Sequence, residues 1–174
     1  MYAVQNLFVK AAALLFFCMA MLIATSLHAL EPAKNSVVLT VSGAITQTNS
    51  GSHAELDTEM LESIGTVTFE TSTMWTEGVQ TFTGVELSEL LEALGAQGTT
   101  LRASAVNDYA VDIPAEDAVK GGPIVAFLRN GEKMSLRNKG PLWIVYPYDH
   151  QPEYRTELIF SRSIWQLDRI EVLP

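Results

Sequence analysis

The sequence predicts a mixed α+β domain in which short helices and strands follow one another without a regular order. Leu87, Leu90, Leu91 and Leu94 recur at the spacing of an amphipathic helix. Residues 66–71 instead alternate polar and apolar side chains, as a strand with one buried face does. Because such segments are interleaved irregularly, a regular doubly wound sheet is not expected.

Two helices are predicted from their end signals as well as from their leucines. The first begins after Asp57, a favoured N-cap residue, with Leu56 and Leu61 placed as a hydrophobic staple. The second is the leucine-patterned helix. Ser88 is a candidate cap at its start, and Gly95 stands where a left-handed C-terminal cap belongs.

Strands are expected wherever β-branched and apolar residues alternate or run together between turn residues. The run 124–128 is followed by Asn130-Gly131, the strongest short hairpin signal in the chain. The polar stretch 149–156 is predicted to be a surface loop. The predicted strands are residues 37–42, 66–71, 101–106, 109–113, 124–128, 142–146 and 164–172.

The first 29 residues differ in composition from the rest of the chain. Residues 11–23 form an apolar run, Lys10 precedes it, and small and polar residues follow it. This pattern predicts a secretory signal peptide that is cleaved after Ser26 or Ala29, with an uncleaved membrane anchor as the alternative. Residues 30–174 would then be one domain that lies in the periplasm.

Charge and cysteine usage exclude several classes of function. The net charge is −9, and Lys10 is the only charged residue among the first 29, so residues 30–174 carry a net charge of −10. Nucleic acid is therefore not an expected partner, because its phosphates would be repelled. The single cysteine, Cys18, lies in the predicted signal peptide. Disulfides, zinc–thiolate sites and cysteine nucleophiles are thus excluded from the mature domain.

Other catalytic and metal-binding patterns have no support either. There is no Gly-x-Ser-x-Gly elbow, and the glycine pair at 121–122 lacks the Lys-Ser/Thr of a phosphate-binding loop. His53 and His150 lie far apart in polar segments. No metal site is expected from them.

Four local patterns, in this order, resemble the oxidoreductase molybdopterin-binding domain of the sulfite oxidase fold. The resemblance covers residues 37–172 and is nearest to a small periplasmic subgroup of molybdopterin-dependent oxidoreductases. It implies a mixed sheet of the sulfite oxidase type with short helices, and a molybdopterin-type cofactor. The segments that carry it are residues 71–75 with 82–87, residues 107–114, residues 124–132 with 140–147, and residues 165–172.

The departures from this family pattern bear directly on chemistry. Thr71 stands where the catalytic relatives carry the metal-binding cysteine, and its neutral hydroxyl cannot replace a thiolate. Trp143 replaces an arginine that the resemblance assigns to anion binding, and Ile164 replaces a lysine. We expect Thr71 to face the cleft, but we do not expect sulfite oxidase turnover.

Several aromatic residues are candidates to stack on a planar ligand in that cleft. They are Trp75, Tyr109, Trp143 and Tyr146. Aromatic faces hold flat rings well. The alternative is that all four are ordinary core residues.

Basic residues concentrate around the predicted hairpin and the turn at Gly140. Arg129, Lys133, Arg137 and Lys139 could bind the phosphate with which the family's cofactor ends. The alternative is a solvated hairpin whose charges prevent edge-to-edge pairing.

Asn107 and Asp108 interrupt two predicted strands beside Tyr109, where side chains can face a cleft. They are equally suited to form a turn by bonding their own backbone.

Together these observations favour a periplasmic binding module without oxidase turnover. Its partner would be an anionic planar small molecule or a periplasmic or membrane protein. One alternative is a molybdopterin-dependent oxidoreductase whose metal is held by the cofactor's own sulfurs, with Thr71, Asp108 or water completing the shell. The other is a purely structural interaction module without a cofactor, in which Trp75 and Trp143 fill the cleft.

Overall fold

The computed structural model describes residues 30–174, and the predicted signal peptide lies outside them. The chain forms ten strands, three short α-helices and three single 3-10 turns within this range. The strands are β1 Leu39–Gly43, β2 Ala54–Leu56, β3 Val67–Ser72, β4 Val79–Glu86, β5 Thr100–Ala105, β6 Ala110–Pro114, β7 Ile124–Arg129, β8 Glu132–Lys133, β9 Leu142–Val145 and β10 Trp165–Leu173. The helices are α1 Thr58–Ile64, α2 Leu87–Ala93 and α3 Glu157–Arg162.

All ten strands belong to one mixed sheet, which confirms the predicted α+β class. The main path runs β2-β1-β10-β9-β7-β4-β3, while β5 and β6 branch from β10 and β8 pairs with β7. Within residues 30–174, β1 and β10 are the only parallel pair. β10 reaches three neighbours because its first residues pair with β9 and its later residues pair with both β1 and β5. The sheet therefore curls around this strand.

The core lies inside this curl and contains several aromatic side chains. Trp143, Tyr146, Tyr148 and Phe82 are the largest fully buried residues. The leucines that predicted α2 are also confirmed as its packed face: Leu87, Leu90 and Leu94 are fully buried and Leu91 packs against the core.

The first helix begins as its sequence predicts. The Asp57 carboxylate accepts a hydrogen bond from the backbone N–H of Met60 at 2.9 Å, and Leu56 and Leu61 are both fully buried. At the end of the second helix Gly95 has a φ of +58°, as predicted. Ser88 is not the N-cap of that helix. Its hydroxyl donates instead to the Glu86 carboxylate at 3.4 Å, because the helix follows β4 without a turn and Glu86 itself is the boundary residue.

The hairpin and the face of β3 also follow the sequence pattern. Asn130 and Gly131 have φ values of 53° and 80°, which gives the two-residue turn that joins β7 to β8. In β3, Thr71 is buried while Thr68 and Glu70 are exposed.

The sequence did not predict α3. This six-residue helix begins after Thr156, whose hydroxyl accepts from the backbone N–H of Ile159 at 3.3 Å. Six residues are too few to show a helical period, so the segment has no clear signal in the sequence. No helix within residues 30–174 is long and apolar enough to cross a membrane.

Candidate functional site

An apolar cavity of about 580 Å³ opens between α3, the β5–β6 turn, the loop after β3 and the start of β10. We call it the aromatic groove. Its lining includes Met74, Trp75, Asn107, Tyr109, Phe160 and Trp165. Met74 and Tyr109 are 68% and 58% exposed, so the groove has an accessible apolar rim.

The floor of the aromatic groove is a set of edge-to-face aromatic contacts. The ring centroids of Trp75 and Trp165 are 5.4 Å apart, and those of Trp75 and Phe160 are 6.0 Å apart. Trp143 lies beneath both tryptophans, at 6.0 Å from Trp75 and 6.1 Å from Trp165, and is fully buried. This geometry is the one in which aromatic pairs attract each other.

Local backbone features fix two of these rings. In the loop after β3, the Thr73 hydroxyl accepts from the backbone N–H of Trp75 at 3.1 Å. At the start of β10 the strand register shifts between Trp165 and Leu167, and Gln166 has a φ of +54°. This irregularity lets Trp165 and Gln166 both line the groove.

Thr71 lies outside the aromatic groove, contrary to the expectation that its side chain faces the cleft. It is fully buried. Its hydroxyl accepts from the backbone N–H of Asp149 at 3.1 Å and donates to the backbone carbonyl of Ser72 at 3.3 Å. The Thr71 hydroxyl therefore has both a hydrogen-bond donor and a hydrogen-bond acceptor as partners within the protein.

The Asp149 side chain also binds the end of β3, next to Thr71. Its carboxylate accepts from the backbone N–H of Ser72 at 2.6 Å and from the Ser72 hydroxyl at 2.8 Å, and it also pairs with Arg155. The Ser72 N–H bond is the main cause that lowers the pKa of Asp149, with the Ser72 hydroxyl and Arg155 adding to it against partial desolvation. The segment predicted as a plain surface loop thus anchors the end of β3.

The four aromatic candidates divide into two groups. Trp75 and Tyr109 line the aromatic groove. Trp143 and Tyr146 are fully buried, as the core alternative predicts. The Tyr146 hydroxyl donates to Asp117 at 2.7 Å, whereas the indole N–H of Trp143 has no hydrogen-bond partner among the described residues.

The predicted basic cluster does not line the aromatic groove. Lys139 does not line the cavity, but its Nζ lies 4.3 Å from the ring centroid of Trp165, which does. Desolvation, and then the charge of Arg129, lowers the pKa of Lys139. Arg137 is exposed. Gly140 is buried against the carbonyl oxygen of Met134, 1.8 Å from where a Cβ would lie, so it serves close backbone packing.

Asn107 and Asp108 form the turn between β5 and β6. The Asn107 side chain lines the groove, but its Oδ1 also accepts from the backbone N–H of Tyr109 at 3.2 Å. Asp108 has a φ of +64° and pairs with Arg169 at 2.7 Å. Asp108 is 89% exposed and does not line the groove. Both therefore act as turn formers, and only Asn107 reaches the site.

Sequence reasoning missed one wall of the groove. α3 contributes Glu157, Phe160 and Ser161, and Ser163 and Ile164 follow it. No periodic signal in the sequence marks this helix. Within residues 30–174, no three His, Cys, Asp or Glu side chains come together as a metal site would need.

The curled mixed sheet with its few short helices has the architecture of a domain of the sulfite oxidase type. A sequence model described as "Oxidoreductase molybdopterin binding domain" matches residues 28–173, and the chain belongs to this family. Its fold is similar to that of the sulfane dehydrogenase SoxCD of Paracoccus pantotrophus, with a TM-score of 0.57 and 18% identity. The match covers 83% of this chain but 40% of that one, so this protein spans about two fifths of its structural neighbour. No curated protein matches the chain.

The residues present do not fit a molybdenum cofactor bound as the family resemblance implies. Thr71 offers no thiolate, and its hydroxyl is buried and hydrogen-bonded. Trp143 fills the position of the anion-binding arginine as a core residue. The aromatic groove has no lysine or arginine in its lining, so the cofactor's phosphate would find no cation there.

Proposed function

We propose that this protein is a binding module that keeps the family's fold but not its oxidase turnover, and that the aromatic groove is its binding site. One observation carries the proposal: the position of the family's metal ligand is closed by Asp149, while the loop that follows the same strand lines an open apolar cavity. A largely apolar concave site with a few polar groups is the usual form of a binding site.

A protein segment is the occupant that we favour. Met74, Tyr109 and Leu158 are exposed by 68%, 58% and 60% at or beside the groove. An apolar rim of this kind is typical of surfaces that bind other proteins. A small ligand confined to the cavity would leave the rim in contact with water. We propose that the partner is met in the periplasm, as the predicted signal peptide suggests.

An anionic planar small molecule is the second candidate. The edge-to-face rings of Trp75 and Trp165 support it, because a flat ligand can pack on them. Its charged end would have to reach Lys139, which lies over Trp165 and outside the cavity lining.

A molybdopterin-dependent oxidoreductase is the alternative that family membership supports. Elemental and mass analysis of the natural protein, purified from the compartment where it accumulates, separates it from the binding module. We expect neither molybdenum nor pterin at stoichiometric levels. One molybdenum per chain would overturn the binding-module proposal.

The groove itself is tested with N-phenyl-1-naphthylamine, a neutral aromatic probe whose fluorescence rises in apolar sites. We expect saturable binding of about one probe per chain, because the cavity can hold one such molecule. Ser161→Trp should block it, since Ser161 lines the groove from an exposed position. Ser52→Trp, at an exposed turn position, is the matched control. Equal binding by both variants would show that the probe does not occupy the groove.

A further inference from the structure

β6 is an edge strand with unpaired backbone groups beside the aromatic groove. Within residues 30–174 its only strand partner is β5. Two backbone hydrogen bonds show which residues of β6 face β5. The Ala105 N–H donates to the Tyr109 carbonyl at 2.8 Å, and the Ala115 N–H donates to the Thr99 carbonyl at 2.9 Å. Residues 109, 111, 113 and 115 therefore turn their backbone groups towards β5.

The intervening residues turn their backbone groups outwards. Ala110 and Asp112 each present an N–H and a C=O along the outer edge of β6, and both residues are exposed. Pro114 ends the strand without an N–H. Such an edge is a template for an added strand.

The groove continues along this edge. A second depression of about 490 Å³ lies between β6 and α3 and shares Tyr109 and Ser161 with the aromatic groove. Val111 and Leu158 line it. A segment that pairs with β6 would therefore project alternate side chains along two connected depressions, the first of them apolar.

Charge indicates which kind of segment fits. Arg162 lines the second depression, but it forms an ion pair with Asp117. Arg102 lies beside this surface and forms an ion pair with Asp112. Glu157 lines the aromatic groove without an ion-pair partner among the described residues. The chain carries a net charge of −9. A second copy of this acidic chain, pairing edge to edge, would be repelled, whereas a basic segment would be attracted.

We propose that the partner contributes an extended basic segment that adds a strand to the outer edge of β6 and inserts an aromatic or large aliphatic side chain into the aromatic groove. This inference rests on the proposed binding function and specifies its ligand. Backbone pairing supplies the affinity, the groove selects the inserted side chain, and Glu157 favours a neighbouring lysine or arginine.

The probes are three seven-residue peptides with lysine at both ends, alternating valine and threonine, and tryptophan, phenylalanine or leucine at the centre. Binding to the full chain is measured by calorimetry. We expect at least one Kd below about 1 mM, the range of weak single-strand additions. Replacing both lysines by glutamate should weaken binding roughly tenfold at low salt, and the difference should shrink at high salt.

The pairing of the peptide with the outer edge of β6 is tested with two further variants. Ala110→Pro removes an outward N–H but leaves the backbone hydrogen bonds between β6 and β5 in place. Ala110→Ser keeps that N–H and is the matched control. The proline variant should bind about fivefold more weakly than the serine variant. Thermal unfolding of both variants verifies that they fold. Hydrogen exchange at Asp112 should slow when the peptide is bound to the natural sequence.

Two outcomes overturn the inference. If none of the three peptides binds while N-phenyl-1-naphthylamine still does and Ser161→Trp still blocks it, the groove is a binding site but not for a basic strand. If a peptide binds equally to the proline and serine variants and leaves Asp112 exchange unchanged, no strand is added to β6. Failure of the dye to bind the groove would instead refute the underlying binding function.

Discussion

The hydroxyl of Thr71 accepts a hydrogen bond from the backbone N–H of Asp149 at 3.1 Å, which joins two residues that are 78 positions apart in the chain. In the catalytic relatives that the chain resembles, the position of Thr71 carries the metal-binding cysteine. Here it secures the end of β3 to the segment that precedes α3. The hydroxyl at the metal position is therefore engaged within the protein, and α3, which follows that segment, lines the aromatic groove.

We predict that Thr71→Val destabilises the protein by about 1–3 kcal/mol, because the buried N–H of Asp149 loses its acceptor while the side-chain volume is kept. Urea unfolding measures the difference. Thr68→Val on the same strand is the control. Its hydroxyl bonds to that of Thr83 on an exposed face, so water can replace the bond and the change should stay within about 0.5 kcal/mol. Equal losses would contradict the role of the Asp149 contact.

Thr71→Cys should give a thiol that reagents cannot reach. In a Cys18→Ser background the new cysteine would be the only one in the chain. Because Thr71 is fully buried, we expect Ellman's reagent to react with it only on unfolding. Thr68→Cys, at an exposed position, should react at once. Rapid reaction at position 71 would mean that this side chain faces an open cleft after all.

Acid should weaken the contact between Asp149 and β3. The pKa of Asp149 is lower in the folded protein than in the unfolded chain, chiefly because of the Ser72 N–H. Its contribution to stability is therefore present above the unfolded value and is lost as the pH falls through the folded value, below about pH 4.

Asp149→Asn should accordingly make the free energy of unfolding less dependent on pH below about 4. The control is Glu116→Gln, whose exposed carboxylate makes no hydrogen bond among the described residues. Urea titrations at several pH values measure both variants. An unchanged acid slope in Asp149→Asn would show that its carboxylate does not titrate abnormally.

Tyr146→Phe should cost about 1–2 kcal/mol, because its buried hydroxyl donates to Asp117 at 2.7 Å. Asp117 also binds Arg162 through both carboxylate oxygens, so the tyrosine supports an ion pair that holds α3. Tyr154→Phe is the matched control, since its hydroxyl has no partner among the described residues and its ring still packs on Tyr146. Thermal unfolding should separate the two variants by several degrees.

We predict that cells export this protein and remove its first 26 to 29 residues. Amino-terminal sequencing of the periplasmic fraction checks this. The finding of intact Met1 in a membrane pellet would identify the segment as an anchor.

The sequence predicted most of the fold because its signals are local. The alternation in β3, the Asp57 cap and the Asn130-Gly131 turn each depend on residues within a few positions of one another. α3 was missed because six residues do not complete two helical turns, and its start depends on a single threonine cap.

The sequence by itself determined that the chain has no cysteine to offer a metal after residue 18, that residues 30–174 are acidic, and that its strands follow the order of the sulfite oxidase fold. Only the tertiary structure decided that Thr71 is sealed by Asp149, that Trp143 is a core residue, and that Trp75 and Tyr109 share a groove. The spacing of apolar residues reports only on local secondary structure, whereas these contacts join segments that are far apart in the chain. The burial of a side chain depends in addition on how the whole sheet curls.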